Sequence, residues 1–269
     1  IGARVEASLR TDRAALLLAI GRPHDAVADL DQARQLAGEQ ASARLAAGIA
    51  RGRAHALLQL GRPRDALQVL EEGIARLPGR ERALRATLLT TLGAVERATE
   101  RLDLAAATLR EAVELARATG EPQRAAVANL ELGFTLLRAG ALQDGLVTLA
   151  SACKGFEQLG DRTGEASARV WLAEAHLEAG DPERAWHEIE PALEVADLVR
   201  AETERRSFRS SYTAYRHDHL EVAVDVLAAL DRRDPTSGNA AQALLLVDRR
   251  RAMDLIDQLV LEQSGQGWE

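Results

Sequence analysis

The chain is poor in several residue types, and each shortage excludes something. Of its 269 residues one is cysteine, Cys153, so no disulfide can close within it. A disulfide-stapled secreted scaffold is therefore excluded. Aromatic residues make up only 3% of the sequence, and β-branched clusters are few, so the usual material of strands is missing. No apolar run reaches the roughly 18 residues that a membrane-spanning helix needs. The first ten residues, Ile1 to Arg10, lack the pattern of a signal peptide. The chain also lacks an initiator methionine, which predicts a piece of a longer protein. Basic residues number 34 against 41 acidic ones, a net charge of −7. That balance counts against a nucleic-acid partner, which favours a basic excess. The shortages together predict a cytoplasmic protein with no membrane and no nucleic-acid partner.

Alanine, leucine, arginine and glutamate are abundant instead, and all four are strong helix formers. Apolar residues recur at three- and four-residue spacing almost throughout. An all-α chain is expected.

The chain repeats itself. Gly21-Arg-Pro-His-Asp-Ala26 returns as Gly61-Arg-Pro-Arg-Asp-Ala66. The closing small residue then reappears as Ala105, Gly145 and Ala185, so the steps are 40, 39, 40 and 40. Four residues later stand Leu30, Leu70, Leu109, Leu149 and Ile189. Seven residues later stand Ala33, Gly73, Ala112, Ala152 and Ala192. Gly21, Gly61, Gly140 and Gly180 precede the closing residue by five, and Glu100 alone breaks that column. A second small column precedes the glycine by seven: Ala14, Ala54, Gly93, Gly133 and Ala173. A glycine that takes the left-handed conformation ends a helix, and proline or aspartate opens the next. Small residues at the closing and later columns let two antiparallel helices approach, and the large residue between them fills the gap.

These columns resemble the tetratricopeptide repeat, whose pattern places small residues at the eighth, twentieth and twenty-seventh positions of each unit. Gly133, Gly145 and Ala152 fit it, as do Ala173, Ala185 and Ala192. Leu92, Leu132 and Leu172 supply the first-helix leucine, where the first two units carry Arg13 and Arg53. The period of about 40 exceeds the usual 34 and also suits HEAT or armadillo arrays; the small-residue spacing favours tetratricopeptide. The resemblance implies a right-handed α-solenoid of stacked antiparallel helix pairs. Five pairs are expected, at roughly 2–37, 41–77, 80–117, 121–158 and 162–197, followed by a helical extension over 198–269. In that extension Tyr212 to Leu230 reads as a helix, Asp231 to Asn239 as a loop and Ala240 to Leu261 as a last helix. The segment Ala243 to Leu259 resembles the junction between a tetratricopeptide array and a CHAT domain, a caspase-like protease. Asp248-Arg249, Arg251-Ala252 and Leu255-Ile256-Asp257 carry that resemblance, and the preceding Phe208, Tyr212 and Tyr215 suit it.

No residue pattern here supplies chemistry. Cys153 lies mid-helix and reads as a buried structural cysteine. His217 and His219 are two apart, so a helix points them to opposite sides and they cannot share a metal; both read as surface residues. Trp186, His187 and Glu188 read as surface residues too. There is no HExxH, P-loop or dinucleotide fingerprint. The chain is expected to be no enzyme and to need no cofactor or metal.

What the resemblance leaves for function is the concave face, lined by the first helix of each unit. Carried over by position, it offers Arg51, His55 and Gln59, then Thr90 and Arg97. Leu130, Phe134 and Arg138 follow, and then Ser167, Glu174 and Glu178. Arg51, Arg97 and Arg138 would form a basic track suited to an acidic or carboxylate-terminated peptide. Phe134 would be an exposed aromatic anchor. The expected function is a scaffold for a protein or peptide, the sensor or docking arm of a CHAT-type protease. The alternative is a regulatory array of a bacterial transcription activator or signalling ATPase. Uncapped ends would favour self-association, through Leu244 to Val247 and Leu259 to Leu261.

Overall fold

The computed structural model describes residues 2–38, 41–204 and 210–265. Side chains are described for 2–38, 41–198, 219–252 and Leu255. Among the described residues there are helices and turns but no strand. The helices run in pairs. The first pair is α1 (Gly2–Ala19) with α2 (Pro23–Ala37), and the second α3 (Ala43–Gln59) with α4 (Pro63–Ala75). Next come α5 (Arg82–Ala98) with α6 (Leu102–Ala118), and α7 (Pro122–Arg138) with α8 (Leu142–Leu159). Then follow α9 (Arg162–Glu178) with α10 (Pro182–Glu204), and α11 (Ser210–Arg233) with α12 (Asn239–Gly265). Each helix packs on the one before and the one after. The first helices also touch in series, α1 on α3, α3 on α5 and onward to α11, whereas second helices meet at most marginally, as where Arg249 of α12 pairs with Asp197 of α10. The result is an all-α solenoid whose inner row is the row of first helices.

The repeating columns are its core. Ala26, Ala66, Ala105 and Ala185 are wholly buried, as are Leu30, Leu70, Leu109, Leu149 and Ile189. Burying each such large side chain contributes about 1.5–3 kcal/mol. In the third and fourth units the helices cross over glycine. A Cβ on Gly93 would lie 2.4 Å from Leu109 Cγ, and one on Gly133 would lie 2.5 Å from Leu149 Cγ. Ala14, Ala54 and Ala173 stand at the same crossing elsewhere, fully buried.

The turn inside each of the first five pairs closes the same way. Gly21, Gly61, Gly140 and Gly180 have φ of 71°, 69°, 75° and 77°. The next residue donates its N–H back to the first carbonyl of the last turn: Arg22 to Leu17 at 2.8 Å, Arg62 to Leu57 at 2.8 Å and Ala141 to Leu136 at 2.9 Å. This is the Schellman closure, which satisfies carbonyls a helix end otherwise leaves open. Glu100 makes the same turn at φ 59°, the one non-glycine with positive φ among the described residues. Its successor Arg101 donates to Glu96 O at 3.0 Å.

Arginine stands at the leucine column of the first two units because an aspartate meets it. Asp29, 4% exposed on α2, accepts from both Arg13 and Arg10. Arg53 Nε lies 3.0 Å from Asp31. Arg53 lies partly buried at the leucine position, whereas Arg13 reaches out from it to Asp29 and stays exposed.

The tail differs from expectation in two places. α11 continues through Arg233, three residues into the expected loop, because Arg233 is anchored on Glu183 and on the carbonyl of Gly180. His219, read as a surface residue, is only 2% exposed, since its side of α11 faces the solenoid. Phe208 lies outside the described residues, as do the side chains of Tyr212, Tyr215 and His217.

Candidate peptide-binding groove

The inner row carries an open groove of about 860 Å³ bounded by α1, α3, α5 and α7. Three expected residues, Arg51, His55 and Thr90, line it. Three turns of α3 place Arg44, Gly48, Arg51 and His55 on one face, at intervals of four, three and four residues. Arg44 and Arg51 are exposed, and neither makes a hydrogen bond or ion pair with any described residue. His55 reaches solvent but is crowded by the groove walls. That desolvation holds its imidazole below the ordinary value; Arg51 adds to the effect and Glu131 opposes it.

The facing wall is α5. Thr90 Oγ1 donates to Ala86 O at 2.9 Å, Thr91 Oγ1 to Thr87 O at 3.2 Å, and Thr87 Oγ1 to Ala83 O at 3.2 Å. Each hydroxyl thus directs its single proton into its own helix and turns a lone pair outward. Arg124 Nε of α7 already donates to the Thr87 oxygen at 3.0 Å. The groove therefore has a donor side on α3 and an acceptor side on α5.

The other expected residues lie elsewhere. Gln59 sits past the end of the groove and donates to Leu18 O at 3.5 Å. Arg97 is turned into α7: it donates to Glu131 O and Thr135 Oγ1 at 3.2 and 3.1 Å and pairs with Glu131 Oε2 at 2.7 Å. Phe134 is half-buried, not an open anchor. Its ring stacks on Trp171 with centroids 3.8 Å apart, and the Arg97 guanidinium lies 4.2 Å from the same centroid. Two groups that close must occupy opposite faces of the ring, so neither face is open to a ligand. Leu130 packs into the core with Trp171 and Leu137. Arg138 Nη2 donates to Glu100 at 3.0 Å. The arginines therefore do not form one track. Glu174 and Glu178 line a separate cleft of about 390 Å³ between α9 and α11, with Glu221 and Asp225.

Arg44, Gly48 and the acceptor role of the threonines are what sequence reasoning missed. The seven-residue step from Arg44 to Arg51 was the available signal; the threonine protons were not visible without coordinates.

Cys153 is buried, and desolvation pushes its thiol up to about 11, which keeps it protonated and inert. Among the described residues no group of histidine, cysteine and carboxylate side chains fits a metal ion. Among them, too, no helix is long and apolar enough to cross a membrane. Glu188, expected at the surface, instead accepts from Arg169 at 2.8 Å and ties α10 to α9.

No protein-family model matches the chain, and no curated protein matches it. Solved structures do. A Rap protein complexed with competence and sporulation factor superposes with TM-score 0.66 at 14% identity, over 95% of this chain and 76% of that one. Nearly identical TPR-like repeats from a Podosopora anserina kinesin light chain give TM-score 0.57 at 18% identity, over 79% and 97%. The fold is a tetratricopeptide-type solenoid. A signal-transduction ATPase with a tetratricopeptide repeat sensor, from Pyrococcus horikoshii, gives TM-score 0.64 at 12% identity, over 96% of this chain and 39% of that one.

Proposed function

We propose that this solenoid is a non-catalytic scaffold that binds a protein or peptide in the groove between α3 and α5. One observation carries the reading: a groove of about 860 Å³ on the inner row, lined by Asp12, Glu121 and Glu131 as well, in which two arginines, Arg44 and Arg51, make no ion pair with any described residue. Cations lining a concave surface attract an anionic partner and strengthen its hydrogen bonds. Arg51, His55 and Thr90 are the contact residues from the original set. The Rap structure, solved with a bound factor, is a precedent for ligand binding on this fold.

Display selection of peptides on the purified chain tests the reading. Selected peptides should lose at least tenfold in affinity for the double variant Arg51→Glu with Thr90→Arg. Peptides that bind this variant as tightly as the parent would move the binding face elsewhere.

The finer reading makes the scaffold the docking arm of a CHAT-type protease. It rests on Asp248-Arg249 and Arg251-Ala252 of α12. Arg249 pairs with Asp197 of α10, and Arg250 lies 3.7 Å from Glu221 of α11, so this segment is coupled to the last repeat. Coding sequence beyond Glu269 decides it. A caspase-like domain with a histidine and a cysteine supports the docking arm. A nucleotide-binding or DNA-binding domain in the same gene supports the regulatory array, which the likeness to the signalling ATPase favours.

A further inference from the structure

Gly48 lacks the steric reason that explains the other helix-interior glycines. Around Gly52, Gly73, Gly93, Gly133, Gly145, Gly155 and Gly164 an added Cβ would meet a neighbour at 3.1 Å or closer. At Gly48 it would meet only Thr11 Cγ2, at an ordinary 3.7 Å. The residue sits in the middle of α3 and has no positive φ, so the turn-forming use of glycine does not apply. Glycine there weakens the helix relative to alanine with no gain in packing. What it leaves is a bare stretch of backbone on the groove side, between Arg44 and Arg51.

A rise of 1.5 Å per residue separates those two arginines by about 10 Å along the axis. A peptide in the polyproline II conformation repeats every three residues and rises about 3.1 Å for each, so its side chains at i and i+3 point the same way about 9 Å apart. Its main-chain N–H groups are free to bond outward, and Thr90 on the facing wall turns an acceptor toward the groove. A helical ligand keeps its backbone wrapped inside its own side chains and makes no use of a bare patch on α3.

We propose that α3 carries a two-anion subsite: an extended acidic peptide crosses over Gly48 and sets carboxylates three residues apart on Arg44 and Arg51. The inference rests on the reading of the groove as the binding face and names the ligand it takes. Gly48 admits the peptide backbone, the arginines read its charges, and Thr90 of α5 accepts from its amides.

Fluorescence anisotropy with labelled twelve-residue peptides tests this on the full chain. The probes are proline- and serine-rich peptides carrying two glutamates at i and i+3, one glutamate, or two lysines at i and i+3. An alanine-based helical peptide with glutamates at i and i+7 completes the set. The i,i+3 peptide should bind at least tenfold tighter than the single-glutamate peptide, and the lysine peptide should not bind. Arg44→Ala and Arg51→Ala should each reduce it to the single-glutamate affinity. Gly48→Met should abolish binding while raising the thermal midpoint, since a helix former replaces glycine; Gly48→Ala, the smaller change, should weaken binding several-fold with the same rise. Unchanged affinity in Gly48→Met, equal binding of the one- and two-glutamate peptides, or preference for the helical peptide would each overturn the subsite. If display-selected peptides remain sensitive to Arg51→Glu but not to Gly48→Met, the groove stands and the subsite falls. If neither change matters to them, both readings fall.

Discussion

The inner row is open over α3 and α5 and sealed around Phe134, where α7 meets α9. His55, Ala94, Phe134 and Glu174 hold the same column in successive units. Where that column holds His55 and Ala94, the groove stays open. Where it holds Phe134, the ring closes the space by stacking on Trp171 beneath Arg97. The arginines divide the same way. Arg97 finds Glu131 on the next helix and is satisfied within the chain, whereas Arg44 and Arg51 find nothing described. A repeating backbone thus sets positions, and the residues that depart from the repeat decide which of them remain available.

The core carries a second contrast, which runs across the first, and the largest predicted effect lies there. Helices α5 and α7 cross their partners over glycine, and α1, α3 and α9 over alanine. Gly133→Ala should cost about 2–3 kcal/mol, because the new methyl overlaps Leu149, a wholly buried side chain. Ala54→Gly, the opposite exchange in the open half, should cost only about 1 kcal/mol, the helix-propensity difference. Denaturant titration of both checks this, and equal costs would break the distinction. Phe134→Ala should open the sealed half at a cost of about 2 kcal/mol, less than a fully buried phenylalanine because the ring is half-exposed. A red shift of Trp171 emission would report the opening. Glu100→Gly should stabilise by about 1 kcal/mol, since it relieves a left-handed conformation at the loss of an exposed ion pair with Arg138.

The smallest effect is one of slope. Asp29 and Glu96 are both buried, at 4% and 5% exposure. Asp29 is held below its ordinary value, first by the hydrogen bond from Arg13. Glu96 is raised by desolvation, against a hydrogen bond to Thr108 and the charge of Arg101, with Glu71 adding to the rise. The folded state therefore holds the Glu96 proton more tightly than the unfolded state does. Its contribution is complete below about 4.5 and is lost as pH rises through the folded value. Asp29 behaves oppositely: its contribution is present above about 3.8 and is lost as pH falls. Glu96→Gln should flatten the decline in stability above pH 4.5, and Asp29→Asn should flatten the loss at acid pH. Thermal midpoints from pH 3 to 8 measure both.

The helical class and the repeating core were legible because they depend on periodic residue size, which a sequence displays directly. The small columns and the large residue between them are where the helices meet, and the glycine column is where they turn. Glu100 was visible as the break in that column; its adoption of the same turn shows that the surrounding packing overrides one unfavourable residue. The face of Arg51, His55 and Thr90 was legible by position. The fates of Arg97, Phe134 and Arg138 were not, because each depends on a partner 34 to 38 residues away whose reach no spacing encodes. His219 was misread because one helix face was judged without knowing what packs against it.

The uneven linkage between units has a mechanical meaning. First helices are joined in an unbroken series, while second helices are held chiefly by the first helices beside them, the Arg249–Asp197 pair between α12 and α10 apart. Bending of the array therefore spreads or gathers the outer edge and leaves the inner edge nearly constant in length. The inner row is the neutral line of the spring. A ligand lying along it would keep its grip while the outer helices flex.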